Sequence, residues 1–272
     1  VGTRSNPSLG LNEGVNAPDA SLLFVAAAAG GAINSVAGGG SFLSFPALIY
    51  AGVPATVANA TNTVALWPGS VASAGAYREE LQAQKKTLLS LGIVSLAGGI
   101  LGAELLLHTP ERTFVKLIPF LMLGATLLFA FGNRLTAILK SATRNSKAPA
   151  WLGFLGITLL QLTIATYGGY FGGGIGILML AMLALMGMEN IHEMNALKTV
   201  LGSLINGVAC WTFIANGVVR WPQAGVMVVG AILGGYFGAH FARKLNPAKV
   251  RQVVIGIGFI MTAVFLGKAF LR

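Results

Sequence analysis

The sequence predicts an all-α integral membrane protein of about ten spans, arranged as two inverted five-span repeats with helices broken at two glycine triplets. Three observations carry that prediction. First, the 272 residues are 55% apolar and 10% charged, whereas an average soluble domain is about 25% charged. Second, apolar segments of spanning or near-spanning length recur along the chain. Third, the two halves of the chain resemble one another. The composition excludes a soluble globular enzyme, a disordered chain and a secreted disulfide scaffold. Cys210 is the one cysteine, which excludes an intramolecular disulfide and a thiolate metal cluster.

Residues 1–20 are polar, carry Pro7 and Pro18, and read as a flexible tail. Apolar segments follow at about 20–37, 41–51, 55–77, 87–107 and 113–132, forming a first transmembrane repeat over 21–132. A basic linker occupies 133–149. A second repeat, 150–272, has segments at about 150–170, 174–188, 192–215, 222–242 and 249–270. A helix needs about 20 residues to cross roughly 30 Å of hydrocarbon. The segments at 41–51 and 174–188 are therefore too short to cross by themselves.

The net charge is +10, but its distribution is not that of a nucleic-acid binder. Basic residues cluster in loops between apolar runs, without aromatic interleaving or a basic helical stripe. With ten crossings, one side collects Arg78, Lys85 and Lys86, then Arg134, Lys140, Arg144 and Lys147, then Arg243, Lys244, Lys249 and Arg251. The other side holds Arg4, Arg112, Lys116, Arg220, Lys268 and Arg272. The positive-inside rule then places the 133–149 linker in the cytoplasm and both termini outside.

The internal match runs at a spacing of about 134–137 residues. Gly38-Gly39-Gly40 corresponds to Gly172-Gly173-Gly174, and Asn59-Ala60-Thr61-Asn62-Thr63-Val64 to Asn195-Ala196-Leu197-Lys198-Thr199-Val200. Gly98, Gly99 and Gly102 correspond to Gly234, Gly235 and Gly238. Five spans per half is an odd number, so the halves must insert with opposite orientation. In inverted-repeat transporters, substrate binds near the midplane on discontinuous helices, which appear in sequence as short, Gly/Pro-interrupted segments at matching positions.

Gly38, Gly39 and Gly40 with Ser41, and Gly172, Gly173 and Gly174, supply such breaks. Each glycine costs about 0.8–1.0 kcal/mol in a helix relative to alanine. Non-helical backbone at membrane depth persists only against protein or a water-filled cavity. The helix that follows each break begins with free N–H groups, which favour an anion. Close packing is the simpler reading for Gly98, Gly102, Gly234 and Gly238.

Lys198 is an ionisable residue inside a span, the usual mark of a substrate or ion pathway. Snorkelling to the polar 189–193 loop, or an ion pair with Glu189 or Glu193, is the alternative. Asn195, Lys198, Thr199, Gly202 and Asn206 form a polar stripe at helical spacing, matched in the first half by Asn59, Asn62, Thr63 and Ser70. Interhelical hydrogen bonding would also account for such stripes. Glu104 and its counterpart His240 are candidates for a proton relay. His108 and His192 lack ligand spacing, so neither a metal nor another cofactor is expected. No nucleophile–base constellation is legible, which argues against an enzyme. Trp67-Pro68 reads as a kink and Trp221-Pro222 as an interfacial anchor.

The run Asn34-Ser35-Val36-Ala37-Gly38-Gly39-Gly40-Ser41-Phe42-Leu43-Ser44-Phe45-Pro46, continuing through Gly52-Val53-Pro54 to Ala58–Gly69, resembles the TauE/SafE family of sulfite exporters and probable membrane transporters. Gly172–Gly176 and Asn195–Lys198 are similar to that family as well. The resemblance implies an inner-membrane protein that exports sulfite, organosulfonates or related sulfur anions. Asn62 stands in the first half where Lys198 stands in the second, so the halves contribute unequal charge.

These readings converge on a small anion bound between two broken-helix ends, with Lys198 as counter-charge and alternating access by rocking of the repeats. A cation- or proton-conducting permease using Glu104, Glu189 and Glu193 is the alternative; a membrane scaffold or intramembrane enzyme is a more distant one. The expected partners are the small anionic substrate and the lipid bilayer, and glycine-rich seams permit a homodimer.

Overall fold

The computed structural model describes residues 15–36, 39–75, 81, 84–143, 150–242 and 247–270. Among the described residues the chain forms ten α-helices and no strand. They are α1 (Ala17–Val36), α2 (Ser41–Tyr50), α3 (Ala55–Gly75), α4 (Lys85–His108), α5 (Glu111–Thr143), α6 (Ala150–Tyr170), α7 (Ile175–Leu185), α8 (Ile191–Ala215), α9 (Trp221–Ala242) and α10 (Pro247–Phe270). Among the described residues, five helices are long and apolar enough to cross a membrane: Lys85–His108, Glu111–Gly132, Leu152–Tyr170, His192–Ala215 and Arg251–Phe270. The helices α2 and α7 are the short apolar pair expected at the glycine triplets.

Two boundaries differ from the sequence reading. Helix α1 begins at Ala17, inside the stretch read as a tail, because Asn16 Oδ1 accepts the Asp19 N–H at 2.8 Å and caps the first turn. Pro18 is tolerated there because first-turn N–H groups have no intrahelical partner. Helix α5 continues through 133–143, so part of the expected linker is helical, although its apolar portion ends at Gly132. Pro68 lies within α3, whereas Trp221 and Pro222 open α9.

The helices of the two halves interleave. Helix α1 packs along α9 and α4 along α6, while α3 crosses α8 and α5 crosses α10. Further contacts join α4 to α8, α3 to α9, α5 to α7 and α2 to α10. Exchanging α1–α5 with α6–α10 maps α3·α8 and α5·α10 onto themselves and each of the other pairs onto another packed pair.

Glycine permits the tightest pairs. A Cβ on Gly98 would lie 2.5 Å from Ala165 Cβ and 2.9 Å from the Leu162 carbonyl oxygen. A Cβ on Gly230 would lie 2.5 Å from the Phe24 carbonyl oxygen, and one on Gly234 2.6 Å from Ala28 Cα. The backbones of α4 and α6, and of α1 and α9, thus approach to distances no side chain would allow. The centre is filled by aromatic residues: Phe45 stacks on Phe265 at 6.1 Å and meets Phe171 edge-on at 6.0 Å. That cluster sits directly beside the two breaks.

Candidate functional site

The first break is held from α1 and roofed by α5 and α10. Asn34 Oδ1 accepts the Gly40 N–H at 2.7 Å, and Ser44 Oγ donates back to the Gly40 carbonyl at 3.1 Å. Gly39 has φ +94°, in the left-handed region that favours glycine. A Cβ there would lie 2.9 Å from Phe129 Cζ and 3.1 Å from Val254 Cγ1. Gly38 lies outside the described residues.

The second break uses Gly172 at φ +80° and Gly174 at φ +77°. Tyr167 Oη donates to the Gly173 carbonyl at 2.7 Å, fixing that peptide from the preceding helix. The Asn34 side chain thus engages the N-terminus of α2, whereas no side chain caps that of α7. Among the described residues, the N–H groups of Gly173, Gly174, Ile175 and Gly176 have no hydrogen-bond partner. A carboxylate there would be stabilised by these donors and by the helix dipole, and so would any small oxyanion.

The two breaks meet around one small cavity. Ser41, Phe42 and Phe45 from α2, Asn59 from α3, Met122 from α5, and Phe171 and Gly173 from the second break line a space of about 10 Å³. Such a volume holds roughly one water molecule. Asn59 spans the halves by donating Nδ2 to the Tyr170 carbonyl at 3.0 Å. Asn62 is 2% exposed, and its Oδ1 has no partner among the described residues.

Of the other expected residues, Thr63 and Thr199 make the same contact in each half. Each hydroxyl donates one turn back, to the Asn59 carbonyl at 2.8 Å and the Asn195 carbonyl at 2.7 Å. Lys198 Nζ donates to Asn195 Oδ1 at 3.0 Å. Its aliphatic stem covers Gly176, where a Cβ would meet Lys198 Cδ at 3.3 Å. Lys198 thus lies over the first turn of α7, while Glu193 is engaged elsewhere, with Gln84 at 2.6 Å and Asn190 at 3.0 Å. Asn206 is half-buried and does not line the cavity.

Glu104 faces His108 one turn along α4, with Oε2 3.7 Å from Nδ1. His240 lies in α9, its side chain outside the described set. Helices α4 and α9 are not among the extensively packed pairs. None of Glu104, Glu189 and Glu193 lines the cavity. Among the described residues there is no group of three His, Cys, Asp or Glu side chains able to hold a metal.

Three residues that shape this region carried no sequence signal as site residues. Tyr167 pins the second break. Glu111, at the start of α5, accepts from the Ala55 N–H, from the Thr56 N–H at 3.1 Å and from the Thr56 hydroxyl at 2.7 Å, capping α3 from a distance in sequence of more than fifty residues. Arg251 donates Nε to the Phe129 carbonyl at 2.7 Å. Glu111 and Arg251 act across the fold, and Tyr167 acts across the break in its own segment, so periodicity within one helix gives no indication of any of them.

Comparisons with known proteins follow the same lines. A family model described as sulfite exporter TauE/SafE matches residues 22–265. A probable membrane transporter protein of Haemophilus influenzae is 28% identical over 243 residues, covering 89% of this chain and 92% of its own. A probable membrane transporter protein of Sinorhizobium, ORF9, is 30% identical over 86% of this chain and 87% of its own. The probable membrane transporter protein YfcA of Escherichia coli K12 is 27% identical over 90% of this chain and 88% of its own. No solved structure matches.

Proposed function

The chain belongs to the sulfite exporter TauE/SafE family, and on that premise we propose that it is a secondary transporter exporting a small sulfur oxyanion, such as sulfite or an organosulfonate, across a bacterial inner membrane. The observation that carries the reading is the shared cavity: Ser41 at the start of α2 and Gly173 at the other break line the same space, together with Asn59. Donors without acceptors at the centre of an apolar protein call for an anion. Lys198, laid over the first turn of α7, supplies the positive charge for it.

The pairwise exchange of helix contacts between the halves supports an inverted repeat, and with it alternating access by rocking of one repeat against the other. The cavity has room for about one water, so this conformation corresponds to a closed state, and uptake requires the roof over a break to open. The 133–149 segment faces the cytoplasm in this reading, on the strength of its basic residues.

The test is flux into proteoliposomes containing the full chain, with sulfite, sulfate, methanesulfonate and acetate each on one side. Sulfite or methanesulfonate flux, abolished by Lys198→Ala in protein that stays folded, is the expected result. Flux of protons or alkali cations in the absence of any transported anion would favour the permease alternative instead.

A further inference from the structure

Arg251 makes a contact that its role in the loop-charge pattern does not account for. A charge that only sets topology belongs in water or among lipid headgroups. Arg251 stands where the apolar span of α10 begins, half-buried, with Nε held by the Phe129 carbonyl of α5. A guanidinium has five N–H donors, and this contact uses one of them. Among the described residues no carboxylate pairs with it. The other four donors remain for water or a ligand.

Its neighbours connect it to the first break. The Phe129 ring stands edge-on to Phe42 at 5.8 Å. Phe129 and Val254 together cover Gly39, and Val254 is one helical turn from Arg251. The arginine that grips the Phe129 carbonyl is therefore one turn away from the two side chains that close the break.

We propose that Arg251 is a second anion-binding station, which receives a small oxyanion at the end of the molecule where α5 runs out to Thr143 and delivers it to the first break when Phe129 and Val254 move off Gly39. The Phe129 carbonyl fixes the Nε edge of the guanidinium and leaves the Nη edge to the ligand. That planar fork matches two oxygens of a sulfite, sulfonate, sulfate or carboxylate. This inference rests on the anion-transport reading and adds a recognition step to it.

The test uses the full chain in sided proteoliposomes, with sulfite flux measured from each face for wild type, Arg251→Gln and Arg251→Lys. Arg251→Gln should raise KM on the order of tenfold, the worth of one lost hydrogen bond to a charged group. The rise should appear only from the face bearing the end of α5, with kcat essentially unchanged, and Arg251→Lys should recover part of it. An unchanged KM overturns the proposal, and so does an equal loss of kcat from both faces, which marks a structural role. If the wild type carries none of sulfite, sulfate, methanesulfonate or acetate, the transport reading has failed by itself. The station is then decided by sulfite-dependent thermal stabilisation of the purified protein: its presence in wild type and loss in Arg251→Gln supports the station, and its absence in wild type overturns it.

Discussion

Asn59 and Tyr170 join the two halves of the chain at the centre of the fold: the Asn59 side-chain amide donates to the Tyr170 carbonyl at 3.0 Å. That carbonyl closes α6 just before the second break, and Asn59 also lines the cavity that both breaks share. One amide therefore belongs to both the structure and the site. Asn59→Ala strips a half-buried carbonyl of its donor, at a cost of about 0.5–1.5 kcal/mol. A lowered Tm and a large loss of sulfite flux are expected. Wild-type flux from a folded Asn59→Ala protein would remove Asn59 from the site.

Lys198→Ala should abolish transport with little change in thermal stability, since its one hydrogen bond is to Asn195 on the same helix turn. Lys198→Arg keeps the charge but puts a planar fork in place of a point charge. It is expected to retain part of the flux with an altered preference between sulfite and methanesulfonate. Competition flux measurements read that preference directly.

Gly174 and Gly52 separate strain at the site from strain elsewhere. Both hold left-handed backbone, at φ +77° and +79°, and a methyl added at either position would meet no atom closer than 3.4 Å. Alanine at either position costs roughly 1–2 kcal/mol in backbone strain. Similar losses of Tm are expected for Gly174→Ala and Gly52→Ala, with flux impaired only in the former. Equal flux in the two variants would argue that the second break takes no part in transport.

Glu111→Ala should act on stability and leave the site alone. Its carboxylate accepts the first N–H groups of α3 and the Thr56 hydroxyl. Removing such a cap costs about 0.5–2 kcal/mol. The melting temperature should fall while KM for sulfite stays at the wild-type value. A raised KM would show that the tilt of α3, and with it Asn59, depends on the cap.

Gly98→Leu should prevent α4 from seating on α6, because even a methyl at Gly98 would lie 2.5 Å from Ala165 Cβ. Overpacking of this kind costs typically about 1–3 kcal/mol, and more where backbone is the obstacle. Loss of monodisperse protein on size-exclusion chromatography is the expected readout. Gly124→Leu is the control, since nothing lies within 4 Å of that position.

The two helix breaks were legible from residue chemistry alone. Three consecutive glycines break a helix wherever they occur, so the starts of α2 at Ser41 and α7 at Ile175 follow from Gly38–Gly40 and Gly172–Gly174. The packing role of Gly98 and Gly234 followed from their small size and spacing. The contact of Arg251 with Phe129 is not legible in the sequence, because charges are counted there by loop and the two residues lie 122 positions apart. Tyr167 was passed over because its hydroxyl becomes informative only once the chain folds back to set the Gly173 carbonyl 2.7 Å away.

The division has a physical basis. Composition, apolar length and glycine content act locally, through hydrocarbon thickness and backbone propensity. They are enough to specify a helical membrane protein with two short, interrupted segments. Which helices touch depends on the packing of surfaces far apart in the chain. That Ser41 and Gly173 share one cavity, that Asn59 ties it to Tyr170, and that Arg251 stands beside the residues covering the first break are properties of the folded chain, because those contacts arise when helices of one half settle against helices of the other.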